Sequence, residues 1–346
     1  MTSPTTSMTS FESNTIGDEE ANVEQVVPAL LTLERKSDLR RSLLLIVVYM
    51  LMETGKQMSN FHLSISSEDE VPVSSTFIVL LTELTKLIIV LFWAAVSQAP
   101  VSRWRPSCTF SVPALCYFFT NILYLVSLRT VTPPLWMLLI QTRTLYTAAS
   151  YLMVFGRKMT WVQMVGCLLL VGSVALARTS QLLPGSRTSV TSAVLVYSQL
   201  CALLSTAASV AVELLLKNNE RSFCEQQAWL YLWGSLLGAI TLPLQLDYNS
   251  LTSLLQSVIW SSTLLLRVLA AVVASALAGL CVPLIIRNLD SIVKDYLAAL
   301  NNLLLSVVTA VVFPVHFAIT WVFCLSLVLL LLGIWLYERK VLCHKS

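Results

Sequence analysis

Charged residues are scarce in this chain of 346 residues, at 12% of the sequence, whereas soluble domains average about 25%. The three histidines form no HExxH or similar grouping, which leaves no basis for a catalytic metal site. The eight cysteines include no CxxC pair and lie mostly in apolar runs, so neither a zinc site nor a disulfide framework is expected. Walker loops, GxSxG elbows and basic stripes with interleaved aromatics are also missing. We therefore expect no enzyme, no cofactor and no nucleic-acid partner.

Long apolar runs take the place of these features. Hydrophobic residues make up 56% of the chain, and the mean hydropathy is +0.76. Each run approaches the roughly 20 residues that a helix needs to cross a hydrocarbon core about 30 Å thick. The pattern predicts an all-α membrane protein with about ten transmembrane helices. They are expected near residues 42–61, 73–96, 109–128, 133–154, 160–177, 189–214, 227–245, 259–283, 291–313 and 317–337.

The membrane domain is expected to lie between two polar tails. Residues 1–40 are rich in Ser, Thr and Glu, which predicts a disordered N-terminal tail, and 339–346 form a short C-terminal tail. Lys and Arg concentrate on one side of the predicted helices, which places both tails in the cytoplasm. A polar loop divides the domain 41–338 into halves of about 41–178 and 189–338, as in carriers that are built from internal repeats.

Two cations inside the apolar runs have no simple structural reason. Arg143 lies in LWMLLIQTRTLYTAASYLMVF, and Lys294 lies in SIVKDYLAALNNLLLSVVTAVVF. A charge placed in hydrocarbon costs several kcal/mol, about 3 on insertion scales. Such a residue therefore tends to face a polar cavity. Two cations, one in each half of the chain, indicate an anionic cargo.

Four sequence blocks follow one another in a specific order. They are LLTELTKLIIVLF, YFFTNILYLVSLRTVTPPLWMLLIQTRTLYTA, VAVELLLKNNE and AGLCVPLIIRNLDSIVKDYLAAL. They match the patterns TE-xx-KL, Y-xxx-NNL…QLKI-xxTA, VYFEKVLK and GLYxSVVVKYADNIxKGFA. Over about residues 70–340 the chain thus resembles the nucleotide-sugar transporter family, in particular its CMP-sialic acid and UDP-galactose transporter branch.

The resemblance implies a drug/metabolite-transporter-like fold with a 5+5 inverted repeat. Such a carrier exchanges a cytosolic nucleotide sugar, UDP-linked or CMP-linked, for a lumenal nucleoside monophosphate by alternating access in the Golgi or ER membrane. Arg143, where the family has lysine, and Lys294 are then assigned to the phosphates. Tyr117 and Asn121, one helical turn apart, would contact the base or ribose. Gln141 also occupies a matching position.

Departures from the family pattern identify a divergent member. The family's second Asn is Ile122, its loop Asp is Thr132, and its Tyr-Gln pair is Trp136–Met137. These changes remove amide groups that could read the edge of a base. The usual substrates of the family therefore do not follow from the resemblance alone.

Other intramembrane charges have a neighbour of opposite sign three or four residues away, a spacing at which side chains meet on one helix face. Each pair could hold a helix in place or take part in gating, and the sequence leaves both interpretations open. The pairs are Glu83 with Lys86, Glu213 with Lys217, and Asp290 with Lys294.

Two further functions remain open at this point. One is a carrier of another small metabolite on the same fold, and the other is a non-transporting Golgi scaffold that binds glycosylation proteins. The partners to be considered, besides nucleotide sugar, nucleoside monophosphate and membrane lipid, are a second copy of the chain, other nucleotide-sugar transporters and glycosyltransferases. Small residues in the eighth span would support close helix packing within or between protomers.

Overall fold

The computed structural model describes most of the chain, and the described residues are helical with connecting turns and without a strand. The described ranges are 43–65, 73–97, 104–155, 160–179, 191–218, 221–289 and 291–343. The predicted tail over 1–40 and most of the polar loop between the halves lie outside these ranges.

The described helices follow the predicted order of spans. Helix α1 covers 43–65. The others are α2 Ser75–Val96, α3 Ser111–Ser127, α4 Pro133–Leu139, α5 Arg143–Phe155, α6 Trp161–Thr179, α7 Ser192–Asn218, α8 Phe223–Gln245, α9 Tyr248–Trp260, α10 Ser262–Leu289, α11 Ser291–Val312 and α12 Trp321–Cys343.

The lengths and apolar composition of the described helices are those of a membrane protein, while the number of transmembrane spans stays a prediction. Among the described residues, α2, α7 and α10 are each long and apolar enough to cross a membrane. Helices α8 and α9 pass the same test together but are bent by 114°, as in a broken span or a re-entrant loop. Shorter apolar helices lie at Ser111–Ser127, Trp161–Leu176, Leu300–Val312 and Trp321–Leu336. Helix α9 is an addition, because the predicted spans leave 246–258 unassigned.

The fourth predicted span is built from two helical pieces. Pro133 and Pro134 occupy the first turn of α4, where a missing N–H leaves no bond unmade and the fixed φ suits a helix. A 3₁₀ turn over Ile140–Thr142 then connects α4 to α5. The tighter winding of such a turn changes the direction of the side chains that follow. Arg143 is the first residue after it.

The most extensive helix contacts join α6 to α12, α2 to α8, and α3 to α7. Helix α2 also packs on α10, α3 on α8, and α4 on α11. The contact between α6 and α12 is close because Gly333 has no side chain: a Cβ there would lie 2.9 Å from the Gly166 carbonyl oxygen and 3.0 Å from Leu170 Cγ. Small residues let backbones approach in this way inside membranes.

Two interhelical hydrogen bonds attach α1 to the second half of the chain. Asn60 Nδ2 donates to Ser275 Oγ on α10 at 3.0 Å. Thr54 Oγ1 donates to Asn301 Oδ1 on α11 at 2.9 Å. Hydrogen bonds of this kind help helices associate in lipid, where the surroundings are as apolar as the helices themselves.

Candidate functional site

A cavity of about 170 Å³ lies within the compact unit Val48–Ser346. Both halves of the chain line it, through α1, α2, α3, α4 and α5 on one side and α7, α8, α10 and α11 on the other. Its described charged lining residues are Glu53, Lys56, Lys86 and Arg143, three cations against one carboxylate. All four come from the first half, so the second half contributes mainly small and apolar side chains to the described wall.

One face of α3 runs along the cavity. Tyr117, Thr120, Asn121 and Tyr124 all line it, and their spacing of three to four residues is that of a single helix face. The hydroxyl groups of Tyr117 and Ser209 form a hydrogen bond that joins α3 to α7. The structure therefore brings Tyr117 and Asn121, which the sequence placed at the site, to the same wall.

Arg143 lies on that wall at the start of α5. Its backbone carbonyl accepts a hydrogen bond of 3.3 Å from Thr206 Oγ1, which fixes the start of α5 against α7. Its guanidinium is within electrostatic range of Tyr117 and Cys201. The cation that the sequence singled out thus lines a partly polar cavity.

The Glu83–Lys86 pair of α2 is formed, and it also reaches the cavity. The Lys86 ammonium lies 2.5 Å from Glu83 Oε1, and the two side chains are only 8% and 6% exposed. Lys86 Nζ also lies 4.6 Å from the centroid of the Tyr231 ring, a cation–π geometry. Lys86 is therefore ion-paired and also part of the cavity wall, while a role of the pair in gating stays a prediction.

Glycines on the facing helices make room for this pair. A Cβ at Gly234 on α8 would lie 3.1 Å from Glu83 Oε2. A Cβ at Gly279 on α10 would lie 3.1 Å from Lys86 Cδ. Because both distances are shorter than ordinary Cβ contacts, a larger residue at either position would force a shift of at least a few tenths of an ångström at the ion pair.

A second ion pair, which the sequence analysis missed, lies on α1. Lys56 Nζ is 3.2 Å from Glu53 Oε1, with side chains 22% and 9% exposed, and both residues line the cavity. Gln57 Nε2 donates to the same Glu53 oxygen at 2.9 Å. The signal was available, since both charges interrupt the apolar run YMLMETGKQMSNF in the way that Arg143 interrupts its own run.

Gln57 also connects α1 to α3 and α4. Its Oε1 accepts a hydrogen bond of 2.6 Å from the Tyr124 hydroxyl. Its Nε2 lies 3.4 Å from Met137 Sδ. Met137 stands where the family pattern has the Gln of its Tyr-Gln pair. An amide from α1 therefore contacts the residue that stands where the family pattern has an amide on α4.

The remaining predicted residues are placed as follows. Gln141 is 1% exposed in the 3₁₀ turn and is not part of the cavity lining. Glu213 is half-buried on α7, beside Val212, which lines the cavity. The side chains of Lys294, Asp290 and Lys217 lie outside the described residues, so their roles stay predictions.

Comparison with known proteins agrees with the resemblance. Residues 38–338 match the family model described as nucleotide-sugar transporter. CMP-sialic acid transporter 4 of Arabidopsis thaliana is 27% identical over 217 residues, which cover 61% of this chain and 59% of that protein. A probable UDP-sugar transporter protein of Homo sapiens is 27% identical over 291 residues, covering 78% of this chain and 86% of that protein.

The overlap with the plant relatives is partial, and a solved structure shares the fold. The matched region spans 59% of the Arabidopsis relative and 58% of the CMP-sialic acid transporter 2 of Oryza sativa, less than two thirds of either. A protein of known crystal structure superposes with a TM-score of 0.60 at 15% identity, covering 89% of this chain and 99% of its own, and this shows a shared fold. From the family match across most of its length, the chain belongs to the nucleotide-sugar transporter family, whose members are transporters and not enzymes.

Proposed function

We propose that the protein carries a UDP-linked or CMP-linked sugar from the cytosol into the Golgi or ER lumen, in exchange for a nucleoside monophosphate. The observation that carries this proposal is the group of three cations, Lys56, Lys86 and Arg143, in the wall of one cavity between apolar helices. Cations are kept at such depth when they meet opposite charge, and a nucleotide brings that charge in its phosphates.

Arg143 and Lys86 are the described residues that we assign to the phosphates. The planar guanidinium of Arg143 can hold two phosphate oxygens at once, whereas the Lys86 ammonium acts as a compact charge. Lys294, on α11, is proposed as a third phosphate contact from its position in the family pattern. Tyr117 and Asn121 are proposed to contact the base or ribose, and their common place on α3 supports this assignment.

Helix packing supports alternating access by two five-span halves. If α4 and α5 count as one span and α9 is set aside, the pairs α2–α8, α4–α11 and α6–α12 each join helices at equivalent positions of the two halves. The pair α2–α10 is likewise equivalent to α3–α8. Such a pattern is expected of an inverted repeat with a substrate site between the halves.

The two ion pairs bear on how strict the exchange is. A cavity that contains desolvated cations would reorient poorly when empty, which favours antiport. Glu53 and Glu83 each neutralise one lysine, at 3.2 and 2.5 Å. We therefore propose a preferred exchange, in which the empty carrier reorients slowly rather than not at all.

Orientation and partners are proposed from the sequence alone. The excess of Lys and Arg on one side supports cytoplasmic termini. Membrane lipid is the immediate partner, and many large apolar side chains, such as Ile88 and Phe92, are exposed on the helices. A second copy of the chain, other nucleotide-sugar transporters and glycosyltransferases are further partners to test.

Uptake into proteoliposomes tests the proposed function. Purified protein would be reconstituted into vesicles that are empty or preloaded with UMP, CMP, GMP or AMP, and uptake of labelled nucleotide sugars would be measured. We expect one monophosphate to stimulate uptake several-fold over empty vesicles. Arg143→Gln and Lys294→Gln should reduce the stimulated rate by at least about tenfold, since a lost charge contact to phosphate is worth roughly 1.5–3 kcal/mol.

Arg105→Gln is the matched control, because Arg105 is exposed and lies outside the cavity lining. Equal uptake into empty and loaded vesicles would contradict exchange while leaving transport intact. If folded protein carried none of the nucleotide sugars, a carrier of another metabolite or a scaffold would take the place of the proposed function. A scaffold's cellular role would survive substitution of Arg143, whereas a carrier's role would not.

A further inference from the structure

The cavity has two ends with different chemistry. Tyr117 and Tyr124 both line it from α3 and are seven residues apart, which corresponds to roughly 10 Å along a helix axis. Arg143 and Tyr231 lie within electrostatic range of Tyr117, and Lys86 lies 4.6 Å from the Tyr231 ring centroid. The end near Tyr117, the phosphate end, therefore holds Arg143. Lys86 lies between the two ends, because it also lines a smaller pocket together with Lys56 and Tyr124.

The other end, near Tyr124, is built around α1, and we call it the α1 end. The Tyr124 hydroxyl donates to Gln57 at 2.6 Å, and Gln57 donates to Glu53 at 2.9 Å. Lys56 Nζ lies 5.5 Å from the Tyr124 ring centroid. Trp136 lines the same cavity, with its ring centroid 6.3 Å from that of Tyr124. Glu53, Lys56 and Gln57 lie outside the four sequence blocks that carry the resemblance.

The described charges at the α1 end cancel. Glu53 Oε1 accepts from both Lys56 and Gln57, while Glu53 Oε2 has only a long contact of 3.5 Å to Lys56 Nζ. That oxygen can accept a hydroxyl proton. The ammonium of Lys56 has three N–H donors, and one carboxylate does not need all of them. The α1 end thus presents an acceptor and a donor with no net charge, beside aromatic rings.

We infer that the α1 end is the sugar subsite and that it selects a neutral, hydroxyl-rich sugar over a carboxylated one. This inference rests on the proposed function and favours its UDP-linked form, because the sialic acid of CMP-sialic acid carries a carboxylate. Hydroxyl groups can donate to Glu53 and accept from Lys56 without disturbing the ion pair, and the apolar face of a sugar ring can pack on Tyr124. A sugar carboxylate would instead be repelled by Glu53, or would have to take Lys56 from it and leave Glu53 partly buried without its cation.

Gln57 acts as a positioning residue in this arrangement. Both of its polar side-chain atoms are used within the protein, one toward Tyr124 and one toward Glu53. It therefore holds the carboxylate without facing the sugar itself. Glu53 and Lys56 are the specificity-determining pair.

The test compares two sugars on the same nucleotide. UDP-glucose and UDP-glucuronic acid differ only at C6 of the sugar, which is a hydroxymethyl group in the first and a carboxylate in the second. The ratio of their half-inhibition concentrations therefore measures discrimination at the sugar alone. Each would compete with monophosphate self-exchange in vesicles of full-length protein. The exchanged monophosphate would be UMP, which shares its base with both competitors. A protein that exchanges CMP but not UMP would overturn the inference and leave the proposed function standing.

The two single variants should shift this ratio in opposite directions. The wild type should prefer UDP-glucose. Glu53→Gln leaves the Lys56 charge uncompensated and should move the ratio about tenfold toward UDP-glucuronic acid. Lys56→Gln leaves the Glu53 charge and should move it about tenfold the other way. The double variant Glu53→Gln/Lys56→Gln, again neutral, should return close to the wild-type ratio.

Opposite shifts cannot result from partial misfolding, which would lower both affinities together. A wild type that prefers UDP-glucuronic acid, or ratios that are unchanged in both single variants while self-exchange persists, would overturn the inference and leave the proposed function standing. Absence of exchange with all four monophosphates would overturn the proposed function and, with it, the sugar subsite.

Discussion

Helices α1 and α2 each carry a glutamate three residues before a lysine, and both lysines line the same cavity, yet the two pairs have different surroundings. Glycines of α8 and α10 enclose the α2 pair, and both of its side chains are at most 8% exposed. The lysine of the α1 pair is 22% exposed, and the carboxylate is held by Gln57. Equal spacing therefore gives equal pairing, while the neighbouring helices decide how tightly each pair is enclosed.

Removing the lysine should give the largest difference in stability between variants of the α1 pair and variants of the α2 pair. Lys86→Met leaves Glu83 buried without its cation, which costs about 3–5 kcal/mol. Lys56→Met leaves Glu53, which is nearly as buried as Glu83, with its Gln57 hydrogen bond and access to the cavity, so we expect a smaller loss of about 2 kcal/mol. The measurement is the thermal midpoint of each detergent-solubilised variant. The double variant Glu83→Gln/Lys86→Met should regain most of the loss, and similar midpoints for the two single variants would contradict the contrast.

Filling the glycine positions should have the next largest effect. Gly234→Val and Gly279→Val place atoms against Glu83 and Lys86, and overpacking of this kind costs about 1–3 kcal/mol. Gly55 lies on α1 beside Lys56, and a Cβ there would meet nothing within 4 Å. Gly55→Val should therefore change the thermal midpoint little, and a drop as large as that of Gly234→Val would show that α1 is packed as tightly as α2.

Removing a tyrosine hydroxyl should give the smallest effect, and one that differs between the pairs. Tyr124→Phe removes the 2.6 Å hydrogen bond to Gln57 and should cost about 1 kcal/mol. The Tyr231 hydroxyl has no hydrogen-bond partner among the described residues, and its ring keeps the contact with Lys86 after substitution. Tyr231→Phe should thus be neutral in stability. Thermal midpoints measured side by side decide this, and a larger loss for Tyr231→Phe would reverse the contrast.

The helices and one wall of the site could be predicted from sequence because both produce local signals. Apolar runs mark the helices, and a motif with helical spacing places Tyr117 and Asn121 on one face of α3. The family assignment that these motifs indicated is confirmed by the match over 38–338. Helix α9 was not predicted because its short run, Tyr248–Trp260, follows α8 so closely that hydropathy does not resolve the bend.

The α1 end of the cavity was missed for a different reason. Glu53 and Lys56 fall in an apolar run and could have been singled out by the rule that singled out Arg143. The hydrogen bonds that join α1 to other helices could not be predicted in this way. Gln57 and Tyr124 are 67 residues apart in the sequence, and Thr54 and Asn301 are 247 residues apart. No local pattern specifies such contacts, which depend on how distant helices pack.

The close approach of α6 and α12 at Gly333 has a consequence for motion. A carrier that opens to two compartments in turn needs one helix interface that stays closed while the other interfaces separate. Because the backbones of α6 and α12 approach so closely at Gly333, the two helices have no room to slide past each other. Their interface is therefore suited to be the pivot of the motion. A pair of spin labels across α6 and α12 should then report one distance throughout the cycle, while labels on helices that border the cavity report two.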